Sequence, residues 1–285
     1  MGAYFETIPE SLIQWVLAQK VFWVSTAPLS AKGHVNVSPK GGHPFGIPDR
    51  KTFWYLDMTG SGNETISHLL EPENGRITVL FNAFEGPPRI LRLWGHGRVL
   101  EAGSAEFDAI VAREAITPPP GTRSVIVVDI HQVGTSCGYS VPLYDFRALR
   151  TTLDDFFRRK DEKFRAGNEK ESMDRYWAHK NAYSMDGLPG VPRGLAAART
   201  FAIEPMKKMV GPLAPKNATT AAGWGVARAG LLPEHLVIVV LSLLLALALA
   251  THPAFQHHAQ TRIRDIVLHV KSISDPSPSA AGILN

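Results

Sequence analysis

The sequence predicts a mainly β protein built as an antiparallel barrel, with short helices at its margins. Three observations carry this expectation. Six runs rich in Val, Ile, Phe and Trp follow one another closely in the first half of the chain. Clusters of Gly, Pro and Asn punctuate them, and too few helical stretches lie between them to act as crossovers of a parallel sheet. With 285 residues, 45% apolar and 20% charged, the chain has an ordinary globular balance and room for one large domain or two small ones.

Pro9 to Lys20 reads as a short amphipathic helix, with Thr7 as N-cap, Pro9 in the first turn and Leu12, Ile13, Trp15, Val16 and Leu17 as its buried side. The six expected strands are 21–26, 34–38, 52–57, 76–81, 89–100 and 124–133. Helical stretches interrupt them at 64–70 and 105–112. After Tyr144 the character changes. Residues 146–164 are charged and helical, and a polar stretch leads into "DRYWAHKNAYSMDGLPG". Residues 186–230 are rich in Gly, Pro and Ala, a composition that seldom builds a core. The expected organisation is a barrel domain over 1–145, an extension over 146–230, an apolar helix over 231–251 and a tail over 252–285.

The apolar helix centres on "LVIVVLSLLLALALA", residues 236–250, fifteen residues without a charge. At 1.5 Å per residue that spans about 22 Å, against roughly 30 Å of hydrocarbon, and lengthening it brings in Glu234. It is a candidate membrane tether, with a buried or interfacial helix as the alternative. Otherwise the expected location is the cytoplasm. The start "MGAYFETIPE" has no apolar signal region, and the single cysteine, Cys137, forms no internal disulfide. A net charge of +4 with no Lys/Arg stripe between aromatics argues against a nucleic-acid partner, and the eleven histidines show no metal-ligand spacing.

One stretch carries most of the chemistry. In "LDMTGSGNETISHLL", residues 56–70, a strand runs into a helix through two glycines and several hydroxyl or amide side chains. Ser61 with Glu64 has the spacing of a capping box and places the helix N-terminus at about Asn63. Gly60 and Gly62 let a ligand approach the backbone, while Thr59, Ser61 and Thr65 add donors, which together suit a phosphate. An ordinary capped strand–turn–helix explains the same residues. Lys40, at the end of "GHVNVSPKGG", offers a cation nearby. Arg92 stands in an otherwise apolar strand between Leu91 and Leu93, so it faces away from the leucines.

The order of "FWVSTAPLSAKGHVNVSPKG", "TFWYLDMTGSGNETISHL", "GRITVLFNAFEGPPRILRLWGHGRV" and "RSVIVVDIHQVGTSCGYSVP" resembles the pyridoxamine 5′-phosphate oxidase-like family over about residues 1–145. More narrowly, it is similar to a poorly characterised fungal and bacterial branch. The resemblance implies a six-stranded split β-barrel that forms a homodimer and binds FMN at the subunit interface. The cofactor-binding positions it implies are Ser38, Lys40, Thr59, Gly60, Ser61, Gly62, Asn63, Glu64, Thr65 and Arg92. The sequence departs from the true oxidases: "VNVSPK" replaces their cationic strand, "GSGNET" lacks a cation, and their substrate-binding C-terminal segment has no match. Pyridoxamine phosphate is therefore not the expected substrate.

Two functions follow. One is an FMN-dependent oxidoreductase acting on an unknown small molecule; the other is a non-catalytic flavin- or heme-binding carrier or sensor. No catalytic residue stands out. His34, Asp57 and Tyr139 flank the expected pocket, and Cys137 reads as either redox active or inert packing.

Overall fold

The computed structural model describes residues 2–212 and 214. The eight strands are β1 (Ala3–Phe5), β2 (Val21–Thr26), β3 (Asn36–Gly41), β4 (Phe45–Asp49), β5 (Thr52–Met58), β6 (Arg76–Asn82), β7 (Ile90–Glu101) and β8 (Thr122–Ser136). They form one antiparallel sheet in the order β3-β2-β6-β7-β8-β5-β4, with β1 added along the far end of β8. The helices are α1 (Glu10–Leu17), α2 (Glu64–Leu70), α3 (Ala105–Arg113), α4 (Thr152–Arg165), α5 (Met173–Lys180) and α6 (Pro192–Thr200).

The sheet curls into a split barrel around aromatic side chains. The Phe22 ring on β2 lies 5.2 Å from Phe45 on β4, 5.5 Å from Phe53 on β5 and 5.4 Å from Phe81 on β6. β2 and β4 are near opposite ends of the strand order, so these rings meet only because the sheet folds back on itself. Large aromatic side chains supply much apolar area per residue, which makes this cluster the main reason for the curl. β5 is buried on both faces: Phe53 and Tyr55 enter this core, while Trp54, Leu56 and Met58 pack with Phe107 and Ile110 of α3. That double burial explains why "TFWYL" reads as a continuous apolar run rather than an alternating one.

The expectation of six strands is corrected to eight. β1 has three residues, and β4 contains Pro48 with a register irregularity between Gly46 and Asp49, so neither has a strand-like sequence. β3 starts later and runs on through Lys40 to Gly41. The first helix starts at Glu10 with Pro9 itself as N-cap, not Thr7. The charged helix starts only at Thr152, leaving residues 142–151 without regular structure. The extension is more ordered than its composition suggests: α6 follows α5, and Trp177 and Val191 join the barrel core. Among the described residues no helix is long and apolar enough to cross a membrane. The apolar span 231–251 and the tail 252–285 lie outside the described residues.

Candidate functional site

Asp57 is the centre of the site. It is fully buried near the end of β5. Lys40 Nζ donates to its Oδ1 at 2.7 Å, and Arg123 Nε donates to its Oδ2 at 2.6 Å. Burial alone would raise the Asp57 pKa, but the two cations outweigh it and hold the carboxyl at about 2. Two cations against one carboxylate leave the cluster with one net positive charge. Lys40 comes from β3 and Asp57 from β5, so this pair, like the aromatic rings, spans the fold of the curled sheet.

β3 presents Asn36, Ser38 and Lys40 on the same side as the buried residues Thr26, Val24 and Phe22 of β2. Ser38 Oγ donates to Asn36 Oδ1 at 3.1 Å, and Asn36 Nδ2 donates to Thr65 Oγ1 at 3.0 Å. The strand thus lays a polar row against the start of α2. Arg92 is not part of this assembly. It pairs with Leu80 and Gly134 on the outer face of the sheet, and its Nη1 donates to Ser136 Oγ at 3.3 Å.

The turn from Thr59 to Thr65 is supported by residues that sequence reasoning did not single out. Trp177 Nε1 donates to Thr59 Oγ1 at 2.9 Å, and Asn181 Nδ2 donates to Gly60 O at 2.9 Å. Arg123 Nη1 donates to Gly62 O at 2.7 Å. Glu64 Oε1 accepts from the Met185 backbone at 3.2 Å. Lys208 Nζ reaches Asn63 Oδ1 and lies 3.9 Å from Glu64 Oε1. Burial, with Arg123 and Lys180 nearby, lowers the Lys208 pKa to about 8 against the pull of Glu64. The helix begins at Glu64 with Asn63 as N-cap, as the spacing predicts, but the capping box does not form. Instead, Asn63 Nδ2 donates to Ser67 Oγ at 3.0 Å.

Lys40, Thr59 and Gly60 line one cavity of about 210 Å³ together with His43, Tyr55 and Leu153. The Tyr55 hydroxyl is buried without a hydrogen-bond partner, and burial raises its pKa well above the ordinary value. Lys40, Gly41, His43 and Leu153 also wall a larger cavity of about 1050 Å³, whose other sides include Trp15, Phe84, Tyr144 and Phe146. The small cavity sets Lys40, His43 and Thr59 among apolar side chains that include Phe22, Leu56 and Met58; the larger one has five aromatic side chains among its walls, Phe156 being the fifth.

Of the flanking candidates, only Asp57 is in the cluster. His34 Nδ1 lies 2.6 Å from Asp186 Oδ1, an anchor between the start of β3 and the extension. Tyr139 is 80% exposed and Cys137 is exposed. Arg123 and Asn181 had weak signals: an arginine opening an apolar strand and an asparagine in a polar helical stretch. Neither could be assigned to Asp57 or Gly60 without the fold.

The fold is thus an antiparallel split barrel whose open seam carries a buried carboxylate between two cations. Over 202 residues the chain is 38% identical to pyridoxamine 5′-phosphate oxidase family protein ustO of Aspergillus flavus, covering 67% of this chain and 78% of that protein. The chain belongs to the pyridoxamine 5′-phosphate oxidase family. No protein-family model matches it. Among solved structures it is similar to HupZ of group A Streptococcus, at 20% identity over 44% of this chain and 92% of that one, with a TM-score of 0.34. It is also similar to an FAD binding protein from Mycobacterium smegmatis, at 13% identity over 46% and 97%, with a TM-score of 0.32.

Proposed function

We propose that the chain is a flavin-binding protein that holds FMN and uses it as an oxidoreductase on a small molecule other than pyridoxamine phosphate. The observation that carries this reading is the shared cavity: Lys40 of β3 and Thr59 and Gly60 of the turn, distant in the strand order, wall one small space. A phosphate suits its chemistry. The Asp57 cluster leaves one positive charge, the Tyr55 hydroxyl lacks a partner, and exposed backbone follows at Ser61 and Gly62. The aromatic walls of the neighbouring cavity suit a planar ring.

Within the ten expected positions the roles divide. Lys40, Thr59 and Gly60 would touch the phosphate end, with Ser61 and Gly62 at the rim. Through their side chains Ser38, Asn63, Glu64 and Thr65 bond to protein groups and would shape the site. Arg92, on the outer face, would serve only a site completed by a second copy of the chain, in keeping with a homodimer that shares FMN at its interface. Val37 on the edge strand β3 and Val35 just before it support such an interface, standing 61% and 70% exposed. When bound, the flavin would supply hydride or single-electron chemistry, and the protein would bind it, orient it and exclude water.

The test is the visible spectrum of the purified full chain after dialysis against buffer with and without FMN. Retained flavin bands that bleach when a nicotinamide donor is added fit the reading; a colourless protein that takes up no FMN contradicts it. Flavin bands with no bleaching by any donor would mark a carrier.

A further inference from the structure

The turn from Gly60 to Gly62 is held from behind at three consecutive carbonyls. Asn181, fully buried just past α5, donates through Nδ2 to Gly60 O at 2.9 Å and to Ser61 O at 3.5 Å. Arg123 donates to Gly62 O at 2.7 Å and also to Asn181 Oδ1 at 3.4 Å, so the two side chains brace each other. Arg123 is fixed in turn by Asp57 at 2.6 Å. In a planar trans peptide the carbonyl and the following N–H point in opposite directions. Fixing the carbonyls of 60, 61 and 62 toward Asn181 and Arg123 therefore turns the N–H groups of Ser61, Gly62 and Asn63 away from them. Among the described residues these three N–H groups donate to no protein acceptor. Ser61 and Gly62 are exposed.

Successive N–H groups turned to one side make a concavity for an anion. A separate observation points to a ligand beside the turn: Tyr55, 1% exposed and with its hydroxyl unpartnered, lines the cavity that Thr59 and Gly60, at the start of the turn, also line. A buried hydroxyl without a partner is costly, and an anion oxygen in that cavity would satisfy it.

We infer that Asn181 is a positioning residue for this site: it holds the turn so that the N–H groups of Ser61, Gly62 and Asn63 receive a phosphate. The inference rests on the reading that an anionic group is bound at the turn, yet it does not depend on that group being a flavin. It also makes the extension part of the binding site, because the side chain that aims the turn lies at 181 and not within the barrel sequence.

The test uses the full chain labelled with ¹⁵N glycine and serine, titrated with inorganic phosphate while the amide signals of Ser61 and Gly62 are followed. In the natural sequence both signals should shift and saturate. In Asn181→Ala the saturation midpoint should rise at least tenfold while the protein stays folded, and riboflavin, which has no phosphate, should show an unchanged affinity. Asn181→Leu, close in size to the natural side chain, takes the place of Asn181→Ala if the latter does not fold. Phosphate saturation unchanged in the variant would overturn the positioning role. So would equal losses of phosphate and riboflavin binding, the mark of a general packing role. Absence of any phosphate response in the natural sequence would overturn the anion site itself. Failure of the flavin reading alone would appear as a phosphate response in a chain that binds no FMN.

Discussion

Lys40 Nζ lies 2.7 Å from Asp57 Oδ1 across the open seam of the barrel, joining β3 to β5 from opposite regions of the strand order. Asp57 is wholly buried while the Lys40 side chain keeps 20% of its exposure, so the carboxylate needs its cations more than Lys40 needs the carboxylate. The seam is thus closed by an ion pair whose outer member still faces the small cavity.

Asp57→Asn should destabilise the fold by about 3 kcal/mol, since it leaves Arg123 and Lys40 without their counter-charge. The pH dependence has a definite sign. The folded carboxyl, at about 2, lies below its ordinary 3.8, so its contribution is fully present above pH 4 and disappears as the pH falls toward 2. Urea unfolding at several pH values should therefore show the gap between the natural protein and the Asp57→Asn variant narrowing across that window, by on the order of 2 kcal/mol.

Lys208 works in the other direction. Its folded pKa of about 8 lies below the ordinary 10.5, so its charge opposes folding at neutral pH and that cost fades as the pH rises from 8 past 10.5. Lys208→Met should accordingly stabilise the chain by about 2 kcal/mol at pH 7 and by little above pH 10.5. Urea midpoints for both proteins over this range check it. A Met substitution that destabilises at pH 7 would mean that the bond to Asn63 outweighs the burial of the charge.

Tyr55→Phe removes only an unpartnered hydroxyl from the core. It should raise the thermal midpoint of the ligand-free protein, corresponding to about 1 kcal/mol. The same variant should bind FMN several-fold more weakly. Gain of stability with loss of affinity, measured on one preparation, distinguishes a ligand-facing hydroxyl from one that is merely badly placed.

Phe22→Ala opens the centre of the aromatic cluster, where four other rings lie within 5.2 to 5.5 Å. The expected cost is about 4 kcal/mol, with loss of cooperativity in chemical unfolding because the two ends of the sheet meet there.

The barrel class was legible because each long strand carries its own signal: Val21–Thr26 opens on four apolar β-formers, and Arg76–Phe81 and Ser124–Val133 are rich in β-branched residues. β1 and β4 were not, because three residues give no period and Pro48 with Gly46 reads as a turn. The start of α2 at Glu64 was visible in the composition of the turn, but the side chain expected to cap it does not. At the site, Lys40 and the turn residues were legible as donors near a phosphate-like turn. Their partners were not. The pairing of Lys40 with Asp57 depends on the curl of the sheet, and the hold of Asn181 on Gly60 links residues 121 positions apart in the chain. Arg92 was placed with the others by its motif, whereas the register puts it on the opposite face.

The central claim is that the seam between Lys40 and the Gly60 turn holds the phosphate end of a flavin. The most direct measurement is a fluorescence titration of the full chain with FMN and, in parallel, with riboflavin. The account predicts FMN binding at least tenfold tighter than riboflavin, with the difference largely abolished in Lys40→Met. Equal affinities for the two flavins, or no binding of either, would contradict it.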